Sequence, residues 1–374
     1  MPYARIIDAF LFDSEISLLE HRLAETYDLI DLFVLVEAGE TFQGKAKAMT
    51  FGSQRDRFSK YAAKIRHVAL PHLAVPAPGG AVDPWDRERF QRDAILFALP
   101  DAREDDMLLL LDADEIPSRE LLIRLRRDGL DTPRRLLMTR HYEGADLLGP
   151  RSACCPCTSL PFPFALGRKI PPSWQTLRIE WFSRAGVALP FGALLLSDSS
   201  SRRSPFDVRR TTPLAGALPN AGRHLCFLDP SARPSRKLGR AAHAELATDR
   251  GQASEHLLRC TRYGVHHRGW WYAERPSGAL PEDLLRLIDR CPEIQSGQQI
   301  QPILLRHIVR TWAWLRCSEI IPKSIVQSVD RHMTLWALIL APWLLAIDIG
   351  RALCALVSAR LKGVLANEPR HFDL

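Results

Sequence analysis

A run of apolar residues that ends in three carboxylates constrains the fold of this chain more than any other feature. Residues 107–117 read Met-Leu-Leu-Leu-Leu-Asp-Ala-Asp-Glu-Ile-Pro. A short apolar run bounded by charge is typical of a strand that is buried on both faces of a parallel sheet. Open α/β sheets bind their ligands just beyond the carboxyl ends of such strands. The pattern therefore places Asp112, Asp114 and Glu115 where an α/β protein would have a functional site.

Strand-like and helix-like segments alternate through the first part of the chain. The patterns predict strands at 6–12, 32–36, 65–70 and 107–111, and helices at 16–30, 85–99 and 117–127. Asp13 and Ser14 are N-cap candidates for the first helix, and Phe97 is expected on the buried side of the second. Alternation of this kind implies right-handed crossovers and a mainly parallel sheet. We therefore predict an α/β nucleotide-binding domain over about residues 1–140.

The rest of the chain is divided into two less regular sections. Residues 141–300 contain a Pro-, Ser- and Arg-rich stretch between 150 and 220, where we expect loops and a few antiparallel strands, and a helical segment at 234–258. Residues 301–374 are Trp-rich and are predicted to be helical. Their uncharged stretch Met333–Ile347 is shorter than the roughly twenty residues that a spanning helix needs. It is interpreted either as a buried or interfacial helix or as part of a peripheral membrane contact through residues 333–362.

Charge and composition limit the classes of partner. The 374 residues carry a formal net charge of +7, which favours phosphorylated substrates and anionic surfaces. The excess of positive charge is diffuse, and no zinc-finger spacing, aromatic ribonucleoprotein motif or basic arm accompanies it, so we expect no nucleic-acid partner. The first residues lack the pattern of a secretory leader. We therefore expect a cytoplasmic location, with the peripheral membrane contact as its variant.

Paired aspartates after a buried strand favour metal-assisted chemistry on a diphosphate. Asp112 and Asp114 are separated by one residue, and carboxylate oxygens suit a hard divalent cation that keeps some of its waters. Such a cation can bridge the two phosphates of a nucleotide-sugar and neutralise the diphosphate as it leaves. The competing interpretation is a cluster of helix-capping residues ahead of Pro117.

Several motifs occur in a familiar order. They are Ile7-Asp8-Ala9-Phe10-Leu11-Phe12, Glu20 with Arg22-Leu23, Phe33-Val34-Leu35-Val36-Glu37-Ala38, Thr41-Phe42-x-Gly44-Lys45, Trp85-x-Arg87-Glu88-Arg89-Phe90-Gln91-Arg92-Asp93 and Asp112-Ala113-Asp114-Glu115-Ile116-Pro117. Together they resemble glycosyltransferase family 17 over about residues 5–125. The likeness resumes more loosely at Gly222-Arg223-His224-Leu225 and Ala242-His243-x-Glu245.

The resemblance implies a GT-A fold and an inverting transfer of a sugar from a UDP-sugar donor. It further implies a divalent metal, Mn²⁺ or Mg²⁺, and N-acetylglucosamine as the sugar that the family's vertebrate enzymes transfer in β-1,4 linkage. The partners would be the nucleotide-sugar and a glycan or glycolipid acceptor. Residues 141–300 would then form the acceptor-side half of the GT-A domain, with an irregular insertion.

Residue roles follow from the motifs and from the chemistry of each side chain. The metal ligands are expected to be Asp112, Asp114 and His224, and the donor contacts Glu37, Lys45, Arg89, Arg92 and Asp112. The general base that inversion requires is expected to be Glu115 or Glu245, and the sequence does not choose between them.

Three of the donor contacts have a competing structural interpretation. Glu37 could be a structural carboxylate at the end of a buried strand, and Lys45 a solvated surface lysine. Arg89 could form an ion pair with Asp93, four residues further along the helix. Arg223 stands where the family has a tryptophan, which removes an aromatic ring that could stack on sugar.

Two other classes of function remain open at the level of sequence. A metal-dependent phosphoryl-transfer or hydrolytic enzyme could use the same Asp-x-Asp-Glu cluster without an acceptor sugar. A non-catalytic glycan-binding paralogue could keep the fold without the general base, and would bind glycan independently of metal.

Overall fold

The computed structural model describes two compact units of the chain. The described residues are 5–73, 82–142, 182–195, 202–226, 259–260, 263, 280–292, 308–309, 312–313 and 346. The first unit contains those up to residue 226 together with 280–292. The short pieces that remain belong to the second unit, in which the Arg259 guanidinium lies 4.6 Å from the centre of the Trp312 ring. All elements named below belong to the first unit.

An eight-stranded sheet forms the centre of the first unit. Its strands are β1 Ile6–Phe12, β2 Leu32–Ala38, β3 Ile65–Leu70, β4 Met107–Asp112, β5 Glu115–Pro117, β6 Arg134–Tyr142, β7 Phe182–Pro190 and β8 Gly222–Cys226. Their order across the sheet is β3-β2-β1-β4-β7-β6-β8-β5. Strands β1 to β4 are parallel, β7 runs antiparallel to β4 and β6, β8 is parallel to β6, and β5 is antiparallel to β8. The α/β class is therefore confirmed, and the sheet as a whole is mixed.

Helices cover both faces of this sheet, which explains why its central strands are apolar without alternation. The helices are α1 Ile16–Thr26, α2 Thr50–Ser53, α3 Pro84–Asp93, α4 Arg119–Asp128, α5 Pro205–Thr211 and α6 Glu282–Arg290. Successive side chains of β4 point to opposite faces. Leu109 packs with residues of α1 and α4, whereas Leu108 packs with Val208 of α5 and with Ile95, which follows α3.

Two local predictions near the first helices are wrong. The N-cap of α1 is Glu15 instead of Asp13 or Ser14, and the Glu15 carboxylate accepts the backbone N–H groups of both of those residues. Phe97 is 71% exposed instead of buried. The chain changes from α-helix to 3₁₀-helix at Ala94, and the tighter turn moves later side chains away from the face that the α-helical period predicts.

The predicted helix at 117–127 begins later than expected. Pro117 is the last residue of β5, Ser118 is the N-cap, and α4 begins at Arg119. The chain stays extended through Pro117 because β5 pairs with β8, more than a hundred residues further along the sequence. No local pattern reports such a partner.

The later sections are described only in part. The expected antiparallel strands between 150 and 220 are represented by β7, which inserts between β4 and β6. The predicted helix at 234–258 lies outside the described residues, as does the stretch Met333–Ile347 apart from Ala346. In the parts of the chain that the structure describes, no helix has both the length and the apolar character needed to cross a membrane.

Candidate functional site

A buried arginine of α1 holds the turn that follows β4. The Arg22 guanidinium donates to the carbonyl oxygens of Asp112, Ala113 and Glu115 at 3.0, 3.3 and 2.9 Å. On its other side it pairs with the Asp8 carboxylate of β1 at 2.6 and 2.7 Å. Arg22 and Asp8 are both fully buried. The Asp8 carboxylate fixes the position of the Arg22 guanidinium, and the guanidinium in turn binds three backbone carbonyl groups of the turn. Arg22 therefore holds the backbone of the turn in one path.

Two arginines bind the first carboxylate of the turn. Arg92 of α3 donates to Asp112 Oδ1 at 2.8 Å, and Arg209 of α5 donates to Asp112 Oδ2 at 2.6 Å. Burial alone would raise the pKa of the Asp112 carboxyl, but the positive charges of Arg209 and Arg92 outweigh it and hold the pKa well below its usual range. Asp112 is therefore ionised at neutral pH, and each of its oxygens already accepts a hydrogen bond.

Arg209 also binds the third carboxylate of the turn. Its Nη1 lies 2.9 Å from Glu115 Oε2 and its Nη2 lies 3.0 Å from Glu115 Oε1, while Nη1 donates to the Leu110 carbonyl at 2.8 Å. Glu115 Oε2 in addition accepts the Asp112 backbone N–H at 2.9 Å. Glu115 is 1% exposed. The structure thus places Glu115 as an interior carboxylate that holds the turn.

The absence of a side chain at Gly186 makes room for this arrangement. A Cβ atom built on Gly186 of β7 would lie 2.1 Å from the Leu110 carbonyl oxygen and 2.9 Å from Arg209 Nη1. Contacts this short do not occur in stable packing. A glycine at this position of β7 therefore allows the guanidinium of Arg209 to reach the carbonyl end of β4.

The second carboxylate of the turn meets the predicted histidine. Strand pairing places Glu115 opposite His224, and the Leu225 N–H donates to the Asp114 carbonyl at 2.7 Å. His224 Nε2 lies 3.6 Å from Asp114 Oδ1. Burial would lower the pKa of His224, but the neighbouring Cys226 and Asp114 raise it to about 9. Two of the three expected metal ligands, far apart in sequence, are thus brought together.

The donor set of this pair fits one side of a divalent cation site. A carboxylate oxygen and an imidazole nitrogen suit Mn²⁺ and similar transition-metal ions. Around the turn lie four carboxylates and two guanidinium groups, those of Glu88, Asp112, Asp114, Glu115, Arg92 and Arg209. A pKa of about 9 keeps His224 protonated in the absence of metal, and it must lose that proton to bind a cation. With His224 deprotonated, the formal charge of the cluster is −2, which one divalent cation balances. Among the described residues no three His, Cys, Asp or Glu side chains form a complete ligand set, so water or substrate would supply the remaining ligands.

Two of the predicted donor contacts lie away from the turn. Glu37 is fully buried and accepts the N–H groups of Phe51 and Gly52 at 2.8 and 3.1 Å, so it caps the start of α2. Lys45 is an exposed side chain in the loop after β2. Glu37 is thus a structural carboxylate at the end of a buried strand, which was the alternative to a donor contact. In the described region, no contact brings Lys45 to Asp112.

The third predicted contact, Arg89, joins two helices. Its guanidinium pairs with Asp207 of α5 at 2.5 Å and lies 4.6 Å from the centre of the Phe206 ring. The expected alternative, an ion pair with Asp93, is not what the structure has. Asp93 instead accepts from the Ser204 hydroxyl and the Phe206 N–H at 2.8 and 3.1 Å. Arg89 and Asp93 together fasten α5 to α3, so that Arg92 and Arg209 reach Asp112 from two connected helices.

The arginine at the position of the family tryptophan faces away from the carboxylates. Arg223 and His224 are successive residues of β8 and therefore point to opposite faces. Arg223 pairs with Asp283 of α6 and lies 3.2 Å from His141 Nε2. The substitution therefore does not remove an aromatic ring from the side of β8 on which His224 meets Asp114.

Charged residues also fasten α6 to α1 on that opposite face. Glu25 of α1 accepts from Arg286 and Arg290 at 2.7 and 2.8 Å, and Arg290 lies 2.9 Å from His21 Nδ1. His21 and Glu25 line a cavity of about 440 Å³ between α1, β8, α4 and α6. Burial lowers the pKa of His21 to about 4. For Glu25 the two arginines outweigh burial and lower the pKa to about 2.

The roles of three residues that shape the site were not expected from sequence. Arg22 belongs to one of the family motifs, but its contacts were not predicted, and Gly186 carries no local signal, because the partners of both lie on other elements. For α5, the Ser204-Pro205 pair is a typical helix start and could have predicted the helix. It could not have predicted that Arg209 reaches Asp112, which lies 97 residues away. The base candidate Glu245 lies outside the described residues.

Comparison with known proteins supports the resemblance over the N-terminal part of the chain. Residues 1–142 match the model of glycosyltransferase family 17. Among curated proteins, the beta-1,4-mannosyl-glycoprotein 4-beta-N-acetylglucosaminyltransferases of Rattus norvegicus and Homo sapiens are each 31% identical over 136 residues, and that of Mus musculus is 30% identical.

These matches cover 34% of this chain and 25% of each relative. The resemblance to family 17 is thereby confirmed for the segment from β1 through β6. That segment includes Arg92, Asp112, Asp114 and Glu115, and it ends before Arg209 and His224.

Proposed function

We propose that this chain is a glycosyltransferase that moves a sugar from a nucleotide-sugar donor to a glycan or glycolipid acceptor. The observation that carries the proposal is the position of the carboxylate turn. Asp112, Asp114 and Glu115 lie at the carboxyl end of β4, inside the segment that matches family 17. Ligands of α/β sheets bind at this end of the strands. The names of the curated relatives make N-acetylglucosamine, carried as UDP-N-acetylglucosamine, the first sugar to test.

In this proposal the domain is of the GT-A type and the donor lies over the turn. Asp114 and His224 would hold a divalent cation, Mn²⁺ first. When bound, that cation would neutralise the charge that develops on the leaving diphosphate. Arg22 keeps the backbone of the turn fixed from below, while Arg92 and Arg209 keep the Asp112 carboxylate ionised and oriented. Preorganised charge of this kind is the main contribution that a protein makes to such a transfer.

Inversion at the sugar carbon requires a base that takes the proton of the acceptor hydroxyl. Glu115 is buried and both of its oxygens bind Arg209. Of the two carboxylates that the sequence offered, Glu245 is therefore our candidate for the base. A location in the cytoplasm and a membrane contact through residues 333–362 stay predictions of the sequence.

The test is a panel of UDP-, GDP- and TDP-sugars with and without Mn²⁺, with a mixture of glycan and glycolipid acceptors. We expect Mn²⁺-dependent binding of one UDP-sugar and transfer of its sugar to an acceptor. Metal-dependent cleavage of a phosphate ester that is indifferent to every acceptor would favour the hydrolytic alternative. Glycan binding that is unaffected by Mn²⁺, together with no nucleotide binding, would overturn the proposal in favour of the non-catalytic paralogue.

A further inference from the structure

Arg209 binds two of the three carboxylates of the turn. It lies outside the segment that matches family 17 and reaches the turn from α5. Its side chain is 13% exposed, and its two terminal nitrogens make four hydrogen bonds, to Leu110, Asp112 and Glu115. A lysine could not replace it, because one ammonium cannot form this planar, forked set of bonds.

We propose that Arg209 is a positioning residue that keeps the carboxylates of Asp112 and Glu115 from binding the cation, so that the cation is left to Asp114 and His224. The inference rests on the proposed function and deepens it. It concerns which of the three carboxylates binds the cation and which two are held by Arg209. Asp114 faces His224, whereas Asp112 and Glu115 are tied to one guanidinium.

The charges around the turn give the proposal its direction. Without Arg209, the carboxylates of Asp112 and Glu115 would lose the guanidinium that binds both of them, and Asp112 would keep its contact with Arg92. Glu115 would then be buried with a negative charge that lacks its partner. A divalent cation would be drawn more strongly to the turn, and the oxygens of Asp112 and Glu115 that Arg209 had bound could turn towards it. Removing Arg209 should therefore raise the affinity for a cation.

Removing Arg209 should also make the donor less well oriented and so lower the rate of transfer. Asp112 is held between Arg92 and Arg209, and α5 is itself fastened to α3 through the contact of Arg89 with Asp207. A carboxylate that leaves this position no longer presents its oxygens to the donor in a fixed geometry. Displacements of about 1 Å in such positions reduce turnover by about 100-fold. Tighter cation binding and slower transfer would thus appear together.

The experiment compares the full chain with Arg209→Met and the matched control Arg210→Met. Arg210 is the next residue of α5, is exposed, and lies over the Trp85 ring away from the carboxylates. Mn²⁺ binding is titrated by electron paramagnetic resonance without nucleotide, and turnover is measured separately at saturating Mn²⁺. For Arg209→Met we expect about tenfold tighter Mn²⁺ binding, since one nearby positive charge is lost, with turnover reduced by about 100-fold. Arg210→Met should leave both quantities at the wild-type value.

These readouts separate positioning from a purely structural role. If the role of Arg209 is purely structural, its loss should weaken both Mn²⁺ binding and turnover. Weaker or unchanged Mn²⁺ binding in folded Arg209→Met would therefore overturn the inference. If that variant does not fold, Arg209→Lys decides. This variant keeps the positive charge but cannot form the forked set of hydrogen bonds. We expect Mn²⁺ affinity near the wild-type value with reduced turnover. Undiminished turnover would overturn the inference. A wild-type chain that binds no UDP-sugar would contradict the proposed function, whereas the response of Mn²⁺ binding to Arg209→Met would still be measured.

Discussion

At the scale of single residues, the site depends on buried arginines more than on the carboxylates that first mark it. Arg22, Arg92 and Arg209 approach one turn from three helices and bind its carbonyl and carboxylate oxygens. Buried ion pairs contribute little net stability relative to apolar packing, but removing one partner leaves an uncompensated charge. The turn is therefore held in one geometry by interactions that are costly to break singly.

Arg22→Met should destabilise the fold by about 3–5 kcal/mol, the usual cost of leaving one member of a buried pair alone. The Asp8 carboxylate would remain fully buried without its guanidinium. The measurement is the free energy of unfolding in urea. Arg57→Met is the matched control, because Arg57 pairs with Glu20 at the surface with 48% of its side chain exposed. We expect a change below about 1 kcal/mol there. Equal effects of the two substitutions would contradict the role given to Arg22.

Gly186→Ala should disturb the site and the sheet together. The added methyl group would lie 2.1 Å from the Leu110 carbonyl, next to the last residue pair of β4 and β7. Overpacking of this kind costs about 1–3 kcal/mol or more. Gly52→Ala is the control, since its nearest new contact is an ordinary 3.7 Å to the His67 ring. Urea unfolding of both variants measures the difference. A Gly186→Ala protein as stable as Gly52→Ala would mean that β7 lies further from β4 than described.

At the scale of elements, α6 is fastened to α1 through charges as well as through apolar packing. Leu284 and Leu287 of α6 pack against Leu18 of α1. Beside them, Arg286 and Arg290 bind Glu25, and Arg290 also contacts His21. Arg290 can donate to His21 Nδ1 only when that nitrogen is unprotonated. The contact between the two helices therefore requires that the His21 imidazole is neutral and that the Glu25 carboxylate is ionised.

The contact of α6 with α1 should weaken in acid in two stages. The folded-state pKa of His21 is lowered to about 4, below the usual 6.5, so its contribution is complete above pH 6.5 and is lost as the pH falls towards 4. The pKa of Glu25 is lowered to about 2, so its contribution is lost between about pH 4.5 and 2.

His21→Gln should therefore remove the first stage of this acid sensitivity. Urea midpoints at pH 7.5 and pH 5 measure it, and we expect the wild-type difference between the two pH values to shrink in the variant. His72→Gln is the control, because the His72 side chain is 78% exposed. An identical pH difference in His21→Gln and in wild type would contradict the assignment to His21.

At the scale of the whole molecule, the sheet explains which features could be predicted from sequence. Strands β1 to β4 follow one another as buried apolar runs with helices between them, so local pattern and spacing are sufficient to predict them. Strands β5 and β8 are short, and they are defined by pairing with each other across more than a hundred residues. The same holds for the site. The motif Asp112 to Glu115 is visible in the sequence, whereas the approach of Arg209 is created only by folding.

The family match follows the same division. It ends with β6, while β7, β8 and α5 complete the surroundings of the turn from residues beyond the match. Those later elements carry Gly186, His224 and Arg209. In the proposed function, the residues that would set cation binding and donor orientation therefore lie partly outside residues 1–142, which match the family model.

The most direct test of the central claim is binding of UDP-N-acetylglucosamine with and without Mn²⁺ by wild type, Asp114→Asn and the control Asp105→Asn. Asp105 is an exposed aspartate in the loop before β4, at the end of the strand opposite the turn. Calorimetric titration should show Mn²⁺-dependent binding for wild type and Asp105→Asn, and binding at least about tenfold weaker for Asp114→Asn, which loses a charged ligand. Binding of equal strength in all three proteins, or binding that does not respond to Mn²⁺, would contradict the claim that this turn is the donor site.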